Sequence, residues 1–292
     1  KAARDVIRYR KKITESRTSE LQRLGNVLQD AGIKIDSVAS SIATKSGRAM
    51  IEALIDGERR GAVLADLAKG VMRAKIPDLS MALEGRFGDH HALMCRLHLD
   101  HTDHLEAMLG KLDAQIEAMM EPFRAARELL ITIPGIGPLA AAGVISEIGA
   151  DVRQYFPDAA HLASWTGLCP GNNESAGKHR PARRRKGNEH LQSLLVECAW
   201  SAVRHHGYLK SLYHRHVMKW GGYRSKTAKK KAIVVVAHAM IVIIWHVLAT
   251  GKPYDELGED YFTTRIDPER ETRRLVAKLQ ALGHTVTLEA AA

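Results

Sequence analysis

Two stretches of apolar residues spaced alternately three and four apart constrain this chain more than any other feature. Leu21, Leu24, Leu28, Ala31, Ile35, Val38 and Ile42 form the first, and Leu105, Leu109, Leu112, Ile116 and Met119 the second. That spacing is the seam of a helix pair. A long helix is expected over residues 1 to about 60, with amphipathic helix continuing from Ala49 to Met72. Gly57, Gly61, Gly70 and Pro77 mark its bends and the turn that follows. Two seams separated by turns predict an antiparallel helical hairpin or coiled coil over 1–122. The same spacing suits pairing with a second copy or the interior of a monomeric bundle, and spacing alone leaves both open. Gly32, inside the first seam, argues against one unbroken helix.

Composition agrees with a helical, soluble protein of one large or two modest domains. Of 292 residues, 45% are hydrophobic and only 5% aromatic, and nine prolines are spread along the length. The formal charge of +10 points to a polyanionic partner. Cys95, Cys169 and Cys198 have no metal-type spacing, and an odd count argues against a disulfide framework. A reducing cytoplasm is the simplest compartment, and no signal peptide is visible. His90, His91, His98, His101 and His104 cluster with Asp89, Asp100 and Asp103. Mixed His/Asp faces are usually solvated and no cysteine spacing supports them as ligands, so no metal site is assigned.

The stretch from Ile131 to Asn188 carries the chemistry. Pro134-Gly135-Ile136-Gly137-Pro138 is a tight turn between two helical patterns, Arg124 to Ile133 and Leu139 to Ile148. It reads as a helix-hairpin-helix motif. Gly135 and Gly137 can take φ > 0 and leave N–H groups open to a phosphate, and Pro138 starts a helix whose positive end faces the same anion. Its ordinary reading is a Gly-Pro helix connection. Such a hairpin grips duplex backbone without reading bases. Ser175 then sits on a loop of Gly and Asn, with Lys178, His179, Arg180, Arg183, Arg184, Arg185 and Lys186 after it. A hydroxyl in that field can approach a phosphodiester the cations hold. Taken alone, such a serine is also a common turn residue.

Asn188 should cap a helix carrying Leu191, Leu194, Leu195 and Cys198 on one face. A second basic cluster, Arg224, Lys226, Lys229, Lys230 and Lys231, follows histidines and the aromatics Tyr208, Tyr213, Trp220 and Tyr223. That mixture suits backbone contact with base or sugar stacking, although the aromatics could equally be core. Ala232 to Ala249 lacks Asp, Glu, Lys and Arg, which favours a central buried helix over a membrane span. A polar tail over 263–292 ends with a short amphipathic helix from Arg270 to Leu282.

Four segments carry a resemblance: IPGIGPLAAAGVISEIG, HLASWTGLCPGNNESAGKHR, RKGNEHL and GKPYDELGEDYF. They resemble the DEDD-type insertion-sequence transposases, also described as bridge-RNA-guided recombinases. The resemblance implies a mainly α chain: a helical hairpin or coiled coil, then a helical transposase domain over 123–262 containing a helix-hairpin-helix-like motif. It implies strand cleavage and joining with Ser175 as nucleophile, DNA and structured guide RNA as partners, and a homo-oligomer, dimer or tetramer. No cofactor is implied within this chain. Mg2+ is expected in an N-terminal RuvC-like nuclease domain that lies outside this sequence. The competing reading from another class is a non-catalytic helix-hairpin-helix module that only binds nucleic acid. A third is an oligomerisation scaffold built on the two seams.

Overall fold

In a computed structural model the chain is mainly α-helical and folds as two units, Lys1–Met119 and Met120–Ala292. The structure describes residues 1–169, 171, 174–179, 186–262, 264 and 268–288.

The first unit is built from α1 (Ala2–Asp30), α2 (Ile35–Val38), α3 (Lys45–Ile55), α4 (Gly61–Asp66), α5 (Ile76–Ala82) and α6 (Asp89–Met120). The long helix expected through residue 60 is cut at Asp30. Gly32 takes φ +80° and donates its N–H to Gln29 O at 2.9 Å, which closes the last turn. Ile35, Val38 and Ile42 therefore leave the first seam. Leu24 and Leu28 stay in it, but they are buried inside this unit's own core with Met50, Ile51, Leu64, Leu79 and Leu99. On the second seam Leu105 and Ile116 are buried, and Leu109, Leu112 and Met119 are partly covered.

α1 and α6 run antiparallel, as ion pairs across them record. Arg10 meets Asp113, Arg17 meets Glu106 (2.8 Å from Nε) and Glu20 meets His98 (2.8 Å). Partner numbers fall as α1 numbers rise. The exposed Arg17–Glu106 pair is worth about 0–1 kcal/mol, so it marks the register rather than holds the unit together. Burying Leu24 or Leu28 contributes more, about 1.5–3 kcal/mol per side chain.

The second unit contains α7 (Arg124–Ile131), α8 (Pro138–Ile148), α9 (Ala159–Thr166), the two-residue strands β1 (Glu174–Ser175) and β2 (Lys178–His179), α10 (Glu189–Ala202), α11 (Tyr208–Lys219), α12 (Lys226–Thr250) and α13 (Pro268–Ala281). α12 is the hub and packs against α7, α9, α10 and α11. Its charge-free stretch is long and apolar enough to cross a membrane. One face is instead the centre of this unit, with Ala232, Val236, Ala237, Met240, Ile241 and Ile244 fully covered. Trp245 fixes the helix to the turn before α9, donating from Nε1 to Phe156 O at 3.0 Å.

Candidate nucleic-acid interface and the Ser175 hairpin

Ser175 stands on a short β-hairpin. Glu174 pairs with His179 and Ser175 with Lys178, antiparallel. Ala176 (φ +50°) and Gly177 (φ +73°) make the turn, both left-handed, the form that matches the twist of a two-residue hairpin. Ser175, Ala176, Gly177 and Lys178 are exposed.

Beyond the hairpin, the chain returns to α9. A Cβ built on Gly187 would stand 2.5 Å from Gly167 N, so only glycine allows the two strands of backbone to pass. Asn188 then caps α10 as its sequence predicts, its Oδ1 accepting from Leu191 N at 3.1 Å. Its Nδ2 donates to the buried Glu147 on α8 at 2.7 Å. Gln192 adds a bond from Nε2 to Thr166 O at 2.6 Å. These contacts tie α8, α9 and the start of α10 into one corner. Lys186 is exposed at that corner, while Arg180, Arg183, Arg184 and Arg185 lie outside the described residues.

The turn between α7 and α8 is differently built from the sequence expectation. Gly135 is left-handed (φ +84°), but Gly137 is not (φ −91°). Gly135 is a packing residue, since a Cβ there would meet Cys198 O at 2.4 Å and Ala202 N at 2.6 Å on α10. Gly137 is the open one: it is exposed, nothing lies within 4 Å of where its Cβ would be, and it is the N-cap of α8 with Pro138 after it. Arg127, which sequence reasoning passed over, reaches this end and donates from Nε to Pro138 O at 3.1 Å. An exposed helix start with a guanidinium beside it favours an anion.

The second basic cluster is the start of α12. Arg224, Lys226, Lys230 and Lys231 are exposed and Lys229 half-buried, with Ser225 capping the helix through Oγ to Ala228 N (3.1 Å). Among the described residues none of these five cations pairs with a carboxylate. The first turn of α12 contains no acid. Cations at a helix N-terminus oppose its dipole, at about 0.3–1 kcal/mol each. A phosphate backbone laid across this end reverses that penalty.

Among the described residues no three His, Cys, Asp or Glu side chains come together as a metal site. His98 and His101 instead face Glu20, at 2.8 and 3.4 Å. Burial pushes the Cys198 thiol up to about 11, helped by the Glu197 charge, and Cys95 likewise. Neither thiol competes with an exposed serine as nucleophile. His216 is held below its usual value by burial, then by the Lys219 and Arg215 charges, so it stays neutral rather than adding to the basic surface.

Residues 127–214, from α7 through α11, match the model of the Transposase IS116/IS110/IS902 family. The match is confined to that segment and makes the chain similar to that family there. The matched segment holds the α7–α8 turn, the Gly167–Gly187 approach and Ser175. A Streptomyces coelicolor protein assigned to the IS117 mini-circle as its transposase is 34% identical over 137 residues, 46% of this chain and 31% of that protein. The transposase-designated y4pF/y4sB of Sinorhizobium fredii is 26% identical over 87% of this chain and 56% of its own length. The transposase for insertion sequence element IS1328 of Yersinia enterocolitica is 32% identical over 37% of this chain and 31% of its own. The chain spans about a third to just over half of these relatives.

Proposed function

We propose that this chain belongs to that transposase family and cleaves and joins DNA strands in insertion-sequence transposition, with Ser175 as the nucleophile. The observation that carries the reading is the exposed hairpin inside the family-matched segment. Ser175 Oγ attacks the phosphorus of a phosphodiester, and the bond to the leaving strand breaks. That strand departs as a hydroxyl and the other is held as a phosphoserine ester. A hydroxyl of the receiving strand then attacks the same phosphorus and returns Ser175 to its free form. Lys178 and Lys186, with the basic run between them, stabilise charge on the phosphate. The start of α12 and the Gly137 end of α8, the latter in a helix-hairpin-helix role, hold backbone on either side.

The proton of Ser175 needs an acceptor, and Mg2+ in an acidic nuclease domain outside this sequence would supply that activation. The described residues bring together no ligand set for it here, so their share of the chemistry is the Ser175 nucleophile and the groups that bind and position the phosphate. Structured guide RNA is the second polyanion of this reading, and bacterial cytoplasm its setting. Self-association as a dimer or tetramer would use the exposed Leu93 and Leu97, one turn apart on α6. It would not use Leu24 and Leu28, which the core of the first unit occupies.

Ser175→Ala in the protein carrying its nuclease domain should abolish strand transfer and the covalent protein–DNA adduct on denaturing gels, with DNA affinity unchanged. Ser175→Cys should retain some adduct. Full recombination by the alanine variant would leave a nucleic-acid-binding module with Ser175 as a turn residue.

A further inference from the structure

A cavity of about 720 Å³ lies beside α11, lined by Lys210, His214, Arg215, Tyr223, Phe262 and Arg274 among others. Its size is within the roughly 300–1,000 Å³ of small-ligand sites. Its chemistry divides into two parts. One is aromatic: Tyr223, half-exposed, is backed by His214, with ring centroids 5.6 Å apart and Nδ1 3.1 Å from the phenol oxygen. The other is cationic. Arg274 is paired with Glu271 (Nε to Oε2 2.9 Å), and Glu259 is taken by His206 (2.6 Å) with Lys210 at 3.8 Å. Arg215 lies with its guanidinium 4.9 Å over the Phe262 ring, and among the described residues it has no carboxylate partner. Among the described residues the two lining carboxylates are thus engaged, and one guanidinium charge is left over.

We infer that this cavity takes one unstacked nucleotide of a bound strand, its base against Tyr223 and its phosphodiester on Arg215. One uncompensated cation matches the single charge of a phosphodiester, and an exposed tyrosine braced from behind is a stacking platform that any base can use. An adenine, guanine, cytosine or thymine presents the same face, so the site selects unpaired over paired rather than one base over another. Tyr223 lines the cavity and is the immediate neighbour of the basic cluster that begins at Arg224. A strand held by those cations therefore passes its mouth. This inference rests on the nucleic-acid reading given above, and deepens it.

The test compares binding of a fully paired duplex with the same duplex carrying a single-nucleotide bulge labelled with 2-aminopurine, in DNA and in RNA. The wild-type protein should prefer the bulge by about tenfold or more and change the probe's fluorescence as it unstacks onto Tyr223. Tyr223→Leu and Arg215→Gln should each remove most of that preference while paired-duplex affinity stays within about twofold, which also shows that the variants fold. A preference in only one of the two chemistries identifies which strand uses the cavity. Duplex binding with no bulge preference, or a preference that survives both substitutions, overturns the inference and leaves the broader reading standing. Absence of duplex binding by the wild type overturns both.

Discussion

Thr132 and Tyr254 lie 122 positions apart, yet the Thr132 hydroxyl accepts the Tyr254 N–H at 2.9 Å while donating to Leu129 O at 2.6 Å. One side chain thereby ends α7 and pins the Lys252–Phe262 segment to the turn that leads to Gly137. Two residues on, Glu256 takes the N–H of Tyr208 (2.7 Å) at the start of α11 and that of Gly258 (3.1 Å). A carboxylate from a distant loop thus caps a helix whose own N-cap position, Gly207, has no side chain to do so. Tyr254 stays a neutral phenol, its pKa raised by burial and by the Glu256 charge.

Thr132→Val should cost about 0.5–1.5 kcal/mol, since water can reach the freed Tyr254 N–H, and Thr132→Ser should cost less. Chemical denaturation of the two variants checks the order. Equal losses would show that the methyl, not the hydroxyl, holds the segment.

Gly135→Ala should be far worse. A Cβ there would meet two backbone atoms of α10, and the left-handed φ adds strain of about 1–3 kcal/mol. Together these should lower the melting temperature by on the order of 5–10 °C. A Gly137→Ala variant, with nothing in the way, should melt near the parent value. If the two variants melt alike, Gly135 is not the packing glycine.

The first unit should lose stability in acid, in part through Glu20. Burial opposes ionisation of this carboxyl, but hydrogen bonds from His98 and Arg23 and the charges of Arg23 and His101 outweigh it, and its pKa is lowered. A lowered folded pKa means stability that is present above the ordinary carboxylate value of 4.5 and lost as pH falls through the folded one. Asp103 and Asp113 are lowered likewise, chiefly by hydrogen bonds from Arg48 and Arg10. Glu20→Gln should destabilise the unit at pH 7 and flatten its stability profile in that acid range. An unchanged profile would show that Glu20 carries no linkage.

Most of the helical architecture was legible because it depends on local periodicity and caps. Asn188, Pro138 and Gly32 each act within a turn or two of their own position, where sequence speaks directly. Sequence misread the first seam beyond Gly32 because residues 35–42 keep the right spacing after the helix has ended. It gave Gly135 and Gly137 one role, since both are small, whereas packing against α10 divides them. Thr132, Arg127, Glu256 and the Arg215 cavity were invisible for a different reason. Their partners are set by how helices dock, and no spacing rule reaches across 48 or 122 positions. The GKPYDELGEDYF segment was part of the resemblance, but only the structure shows Tyr254 and Glu256 tying it to α7 and α11.

The whole account stands on the cationic first turns of α12 meeting a phosphate backbone, and the salt dependence of duplex affinity tests this most directly. With about six phosphates neutralised, affinity should fall by roughly three decades between about 50 and 200 mM salt. Charge reversal of Lys229, Lys230 and Lys231 to Glu should reduce the slope of log affinity against log salt by about three units. The variant should remain folded, because acids at a helix start are favoured by its dipole. A flat titration for the parent chain, or a slope that the triple variant leaves untouched, would contradict the account.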